Sequence, residues 1–127
     1  MKENKLNICQ VTLFGNINII KENLLNFNKL YENNFHYIIC PKKEKILFTN
    51  KIKNKNCIFL DENKIISFKK FKKIANKHLK KKIYFKEIQN RLGWYYQQIL
   101  KLTFVLKFTK DNRAPIIIWD ADTIILK

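Results

Sequence analysis

The run "PIIIWDAD", Pro115 to Asp122, constrains the fold more than any other feature of the chain. Ile116, Ile117, Ile118 and Trp119 are apolar without alternation, and two aspartates follow at once. An antiparallel strand with one wet face alternates apolar and polar residues. A continuous run suits a strand covered on both faces, as in a parallel sheet. Three further apolar runs precede it. "LNICQVTLF", Leu6–Phe14, ends at a glycine; "FHYIIC", Phe35–Cys40, ends at Pro41; "NCIFLDEN", Asn56–Asn63, ends in acids and amides. Each reads as a strand closed by a turn signal.

Helical patterns separate these runs. Ile20, Leu24, Phe27 and Tyr31, with Leu30 beside them, recur at three- and four-residue spacing, and "EKILFTNKI" predicts a short helix. Two helices are expected before the last strand. "SFKKFKKIANKHLKKKI" places Phe68, Phe71, Ala75 and Leu79 on one face, with eight lysines between Lys69 and Lys82. "EIQNRLGWYYQQILKLTFVLKF" carries a stripe of Ile88, Leu92, Tyr95, Ile99, Leu102 and Leu106, about six turns long. Gly93 inside it marks either the helix start or a close approach. Ser67 reads as a helix cap. Strands alternating with helices predict an α/β fold, a Rossmann-like, mostly parallel sheet with flanking helices. Ligands bind such sheets at the carboxyl ends of the strands. Those ends are Phe14–Asn16, Pro41–Lys43, Asp61–Asn63 and Asp120–Asp122.

At 127 residues, 46% hydrophobic and 13% aromatic, the chain suits one domain or part of one, and global disorder is excluded. No apolar run reaches the ~18 residues of a membrane span, and the N-terminus has no secretory pattern. Cys9, Cys40 and Cys57 lie far apart in apolar runs and read as buried, reduced residues, which suggests a cytoplasmic protein. The net charge of +16 favours anionic partners, although abundant Lys, Asn and Ile also follow from AT-rich coding. His36 reads as a strand-edge or satisfied core histidine and His78 as exposed; neither has a partner at catalytic or metal spacing.

Asp120 and Asp122 would share one side of a strand, with Ala121 on the other. Two adjacent carboxylates repel unless a cation separates them. A hard ion, Mn2+ or Mg2+, does so through oxygen ligands and keeps water or phosphate in its other positions. Asp-x-Asp at a strand end therefore suggests a metal–diphosphate site; the plain alternative is a pair of solvated turn aspartates. Upstream, Trp94, Gln97, Gln98 and Lys101 fall on one helical ridge in "GWYYQQILKL". Amides can fix sugar hydroxyls, and Lys101 or Arg91 can reach a phosphate. The alternative is an ordinary amphipathic helix with exposed glutamines.

The segment "GWYYQQILKL" followed by "IIIWDADTIIL" resembles a family of largely uncharacterised bacterial glycosyltransferases of the GT-A fold. "VTLFGNINIIKENLLNFNKL", "YIICPKKEKILF" and "CIFLDEN" are similar to that family's first three strands and their connections. The resemblance implies a metal-dependent transferase that takes a sugar from a nucleotide-diphospho-sugar to a glycan or lipid-linked acceptor. It implies Asp122 as direct ligand of Mn2+ or Mg2+, with Asp120 on the ribose or a metal-bound water and Ala121 between them. It places Phe14, Asn16 and Asp61 near the base and ribose, and Trp94, Gln97 and Gln98 along the sugar nucleotide. "LFGNIN" departs from the proline or threonine expected in the first loop. In this family Asp-x-Asp lies near the middle of the domain, so the chain is expected to be the nucleotide-binding part, with the acceptor part and any catalytic base missing and little activity alone. Apolar surface on the helix stripe and last strand is expected to lack partners.

A different function class stays open: a basic α/β module that binds nucleic acid or an anionic membrane. The helix holding Lys69–Lys82 supports it, as lysines on lipid or nucleic-acid phosphates. Only two arginines, Arg91 and Arg113, are present and no nucleic-acid motif appears, so nucleic acid is the less favoured partner. The membrane version is compatible with a cytoplasmic transferase held at the inner membrane face.

Overall fold

The computed structural model describes residues 6–31, 34–79, 86, 90–112 and 115–122. Ile88, Arg113, Lys80–Lys82 and residues 123–127 lie outside them. Among the described residues, four parallel strands form one sheet: β1 (Asn7–Val11), β2 (Phe35–Cys40), β3 (Cys57–Asp61) and β4 (Ile117–Ile118), in the order β3-β2-β1-β4. A 3-10 turn (Phe14–Asn16) leads into α1 (Ile17–Leu30). Then come α2 (Lys42–Lys51), α3 (Glu62–Ile65), α4 (Phe68–Leu79) and α5 (Leu92–Asn112). The fold is Rossmann-like α/β, as the pattern of apolar runs implies.

Side-chain alternation splits the core between the two faces of the sheet. On one face Ile20 and Leu24 of α1 meet Ile38 and Cys40 of β2 and Phe48 of α2. Phe48 is fully buried, edge-on to Phe14 at 5.4 Å and stacked on Phe59 at 5.7 Å. On the other face Cys9, Val11 and Ile39 meet Tyr96 and Leu100 of α5, with Phe71 of α4 packed alongside. The Tyr96 hydroxyl donates to the Ile66 carbonyl and ties α5 to the α3–α4 turn. Ser67 Oγ accepts from the Lys70 N–H at 3.4 Å, consistent with its reading as a cap for α4.

Three sequence expectations change here. The stripe on α5 is not the buried one. Leu92, Tyr96, Leu100, Lys101 and Phe108 are buried, whereas Tyr95 and Ile99 are exposed and Leu102 and Leu106 are 53% and 68% exposed. Both faces of this helix are apolar, so periodicity alone selects neither; Tyr96 and Leu100 are the side chains packed against Cys9, Val11 and Ile39. Gly93 is the second residue of α5, and a Cβ there would meet nothing within 4 Å, so close packing is not its reason.

The second change concerns β4. Among the described residues of this run, only Ile117 and Ile118 are strand, and both are exposed. β4 pairs with β1 alone, in the register Ile8↔Ile117 and Cys9↔Ile118, and is the outer strand among the described residues. The aspartates lie past the strand: Ala121 and Asp122 form a turn. His36 also differs from a satisfied histidine. It sits on the internal strand β2, buried against the Phe27 ring at 5.2 Å, and its Nε2 has no partner among the described residues.

Candidate functional site

The strand order decides where a ligand can sit. β1 to β2 to β3 runs one way along the sheet, with α1 and α2 on one face. The chain then returns across the other face through α4 and α5 and adds β4 on the far side of β1. The carboxyl ends of β1 and β4 therefore form the topological switch point, where loops diverge and leave a crevice.

A pocket of about 320 Å³ lies there, at the small end of the range for ligand sites. Its walls come from three stretches far apart in sequence: Val11–Leu13 with Asn16 after β1, the α5 ridge of Trp94, Gln97, Gln98 and Lys101, and Asp120–Asp122 after β4. Helical geometry makes the α5 contribution, because those four residues stand one above another at i, i+3, i+4 and i+7. The ends of β1 and β4 meet because these strands are paired. Trp119 N–H donates to the Cys9 carbonyl at 2.9 Å, and the Asn7 amide donates to the Pro115 carbonyl at 3.1 Å. Trp119 packs edge-on to Phe27 of α1 at 5.6 Å, which turns the next residue, Asp120, towards α5.

Lys101 Nζ donates to Asp120 Oδ1 at 2.6 Å. The lysine side chain is 8% exposed and the aspartate 67% exposed. The cation is thus held at the pocket wall while the carboxylate faces solvent. Asn16 Nδ2 donates to Thr12 Oγ1 at 3.3 Å, which orders the opposite wall. Trp94 is exposed at the rim, edge-on to Tyr95 at 5.1 Å.

Of the expected site residues, Asp120, Ala121, Asp122, Trp94, Gln97, Gln98 and Asn16 all line this one pocket. Phe14 and Asp61 do not. The Phe14 ring packs on Phe48, and its N–H donates to Glu44 Oε2 at 3.0 Å. Asp61 is buried two strands away and caps α3 by accepting from the Asn63 N–H at 3.0 Å. Asp61 adjoins β2, not β1, so a residue at a strand end reaches the crevice only if its strand flanks the switch point. Val11, Thr12 and Leu13 were missed in the sequence; the signal was available, since Val11 ends β1 and Thr12 and Leu13 directly follow it.

The donor set can be tested against a divalent cation. Asp120 and Asp122 supply two carboxylates, with Asp120 Oδ1 engaged by Lys101, and Thr12, Asn16, Gln97 and Gln98 line the same pocket with neutral polar side chains. No group of three or more His, Cys, Asp or Glu residues that could hold a metal occurs among the described residues. Such a set does not fit an ion enclosed by protein ligands. It fits Mg2+ or Mn2+ held through one or two carboxylates, with phosphate and water completing the shell.

The cysteines take no part. Burial pushes the thiols of Cys9 and Cys57 up to about 12 and that of Cys40 up to about 11. No family model, curated protein or solved structure matches the chain.

Proposed function

We propose that the pocket at the β1–β4 switch point binds the diphosphate and adjoining sugar or ribose of a nucleotide-diphospho-sugar, and that the chain is the donor-binding part of a metal-dependent glycosyltransferase. The observation that carries this reading is the convergence of the Trp94–Lys101 ridge with Asp120–Asp122 on one pocket, from segments 19 residues apart at the Lys101–Asp120 contact.

The chemistry follows from the residues. Asp120 and Asp122 would hold Mg2+ or Mn2+, which when bound neutralises charge on the leaving diphosphate. Lys101 is a positive charge on the wall; it orients Asp120 and offsets the repulsion between the two carboxylates. Gln97, Gln98 and Asn16 can each donate to and accept from hydroxyls, which suits a sugar or ribose. Trp94 offers a flat apolar face to a base or sugar ring.

The test is calorimetric titration of UDP and GDP, each with and without Mn2+, on the wild type and on Asp122→Ala. Binding that needs the metal and is lost in the variant supports the reading. Absence of nucleotide binding by a folded chain, with or without metal, refutes it.

A further inference from the structure

The α4–α5 face carries a second feature, remote in kind from the pocket. α4 holds Lys69, Lys70, Lys72, Lys73 and Lys77, with His78 near its end; it has no acidic residue, and none of its residues is buried. Lys70, Lys73 and Lys77 fall on one ridge, and Ile74, 59% exposed, stands beside them. A groove of about 650 Å³ runs between α3 and α4 and reaches α5 at Ile99, with Ile65, Phe71, Ile74 and Ile99 among its apolar residues and Lys64, Lys70 and His78 among its polar ones. From Ile99 the exposed stripe continues along α5 through Leu102 and Leu106. Cationic side chains and exposed aliphatic side chains thus occupy one continuous face.

We propose that this face docks on an anionic phospholipid bilayer surface. The charge pattern selects that occupant. Lysine ammoniums on long stems reach lipid phosphates while their methylenes and the neighbouring isoleucine and leucines enter the acyl boundary. A nucleic acid would satisfy the lysines but leave Ile74, Ile99, Leu102 and Leu106 facing charged backbone. A neutral apolar partner would cover the aliphatics but leave the lysines unpaired. An anionic bilayer meets both needs, with about a fivefold gain in binding per lysine near the surface. The inference does not rest on the nucleotide reading, since none of its residues lines that pocket.

Vesicle co-sedimentation tests it, with phosphatidylcholine alone and with phosphatidylcholine containing phosphatidylglycerol at about a third of the lipid. The chain should bind the anionic vesicles, weaken as salt rises, and ignore the neutral ones. Lys70→Glu, Lys73→Glu and Lys77→Glu together should weaken binding ~100-fold. The charge-matched set Lys51→Glu, Lys53→Glu and Lys55→Glu, on the α1–α2 side, should weaken it far less. Ile74→Glu should cost ~10-fold, because it removes the inserted group and adds a like charge. All these side chains except Ile74 are solvated lysines, so circular dichroism should be unchanged. Equal loss in both lysine sets would reduce the effect to net charge and overturn the proposal. So would tighter binding to single-stranded nucleic acid than to vesicles, retention of full binding in Ile74→Glu, or a self-association that Ile74→Glu abolishes in place of lipid binding.

Discussion

Lys101 Nζ lies 2.6 Å from Asp120 Oδ1, so the middle of α5 is tied to the turn that follows β4. The lysine is buried and the aspartate is not, and the two ends of this contact therefore respond differently to mutation. Asp120→Ala leaves a largely buried ammonium without its carboxylate and should destabilise the chain by about 1–3 kcal/mol. Lys101→Met keeps the volume and frees a solvated carboxylate, and should cost less. Chemical denaturation of both variants checks the asymmetry; equal costs would mean that the buried ammonium finds another partner.

The pocket walls predict a separation of roles in nucleotide binding. Asp122→Ala should abolish the metal-dependent part of UDP or GDP binding. Gln97→Ala and Trp94→Ala should weaken binding to the intact sugar nucleotide by about 1 kcal/mol each, in line with the loss of single hydrogen bonds or ring contacts. Phe14→Leu and Asp61→Asn should leave nucleotide affinity unchanged, because neither residue lines the pocket. Calorimetry of the five variants distinguishes these outcomes.

His36 predicts how stability depends on pH. Burial holds its imidazole neutral, pushing the pKa from 6.5 down to about 4. The unfolded chain accepts a proton as pH falls through about 6.5, while the folded chain resists until about 4. Stability contributed by the neutral ring is complete above 6.5, is lost on descending from 6.5 to 4, and is flat below that. The difference between 6.5 and about 4 corresponds to at most about 3–4 kcal/mol. His36→Phe should flatten this part of the curve, measured as denaturation midpoint against pH.

Phe48 anchors the α1–α2 side through Phe14 and Phe59. Phe48→Ala should cost about 3–5 kcal/mol, a large part of a small domain's stability. A cost below ~1 kcal/mol in thermal unfolding would mean that this face collapses around the cavity.

The three thiols predict slow chemistry. With values of about 11 to 12, they are almost wholly protonated at pH 8. A disulfide reagent should label none quickly in the native chain and all three in denaturant. Rapid native labelling of one would reveal local opening around it.

Much of this molecule can be read directly from its residues, for identifiable reasons. The parallel α/β class follows from continuous apolar runs alternating with helical spacing, because strand burial and helix amphipathicity are local patterns. The ridge of Trp94, Gln97, Gln98 and Lys101 follows from helical geometry alone. The Asp-x-Asp turn is visible as a motif. Tertiary structure decided the rest. Which apolar face of α5 meets the sheet is not set by periodicity, since both faces are apolar; the packed chain puts Tyr96 and Leu100 against Cys9, Val11 and Ile39. Asp61 and Asp120 look alike as carboxylates at strand ends, and only the order β3-β2-β1-β4 sends one to a helix cap and the other to the crevice. The partner of Asp120 was equally hidden. A contact across 19 residues requires α5 to cross the sheet and β4 to lie beside β1, and pairing of that kind is a property of the packed chain rather than of any one segment.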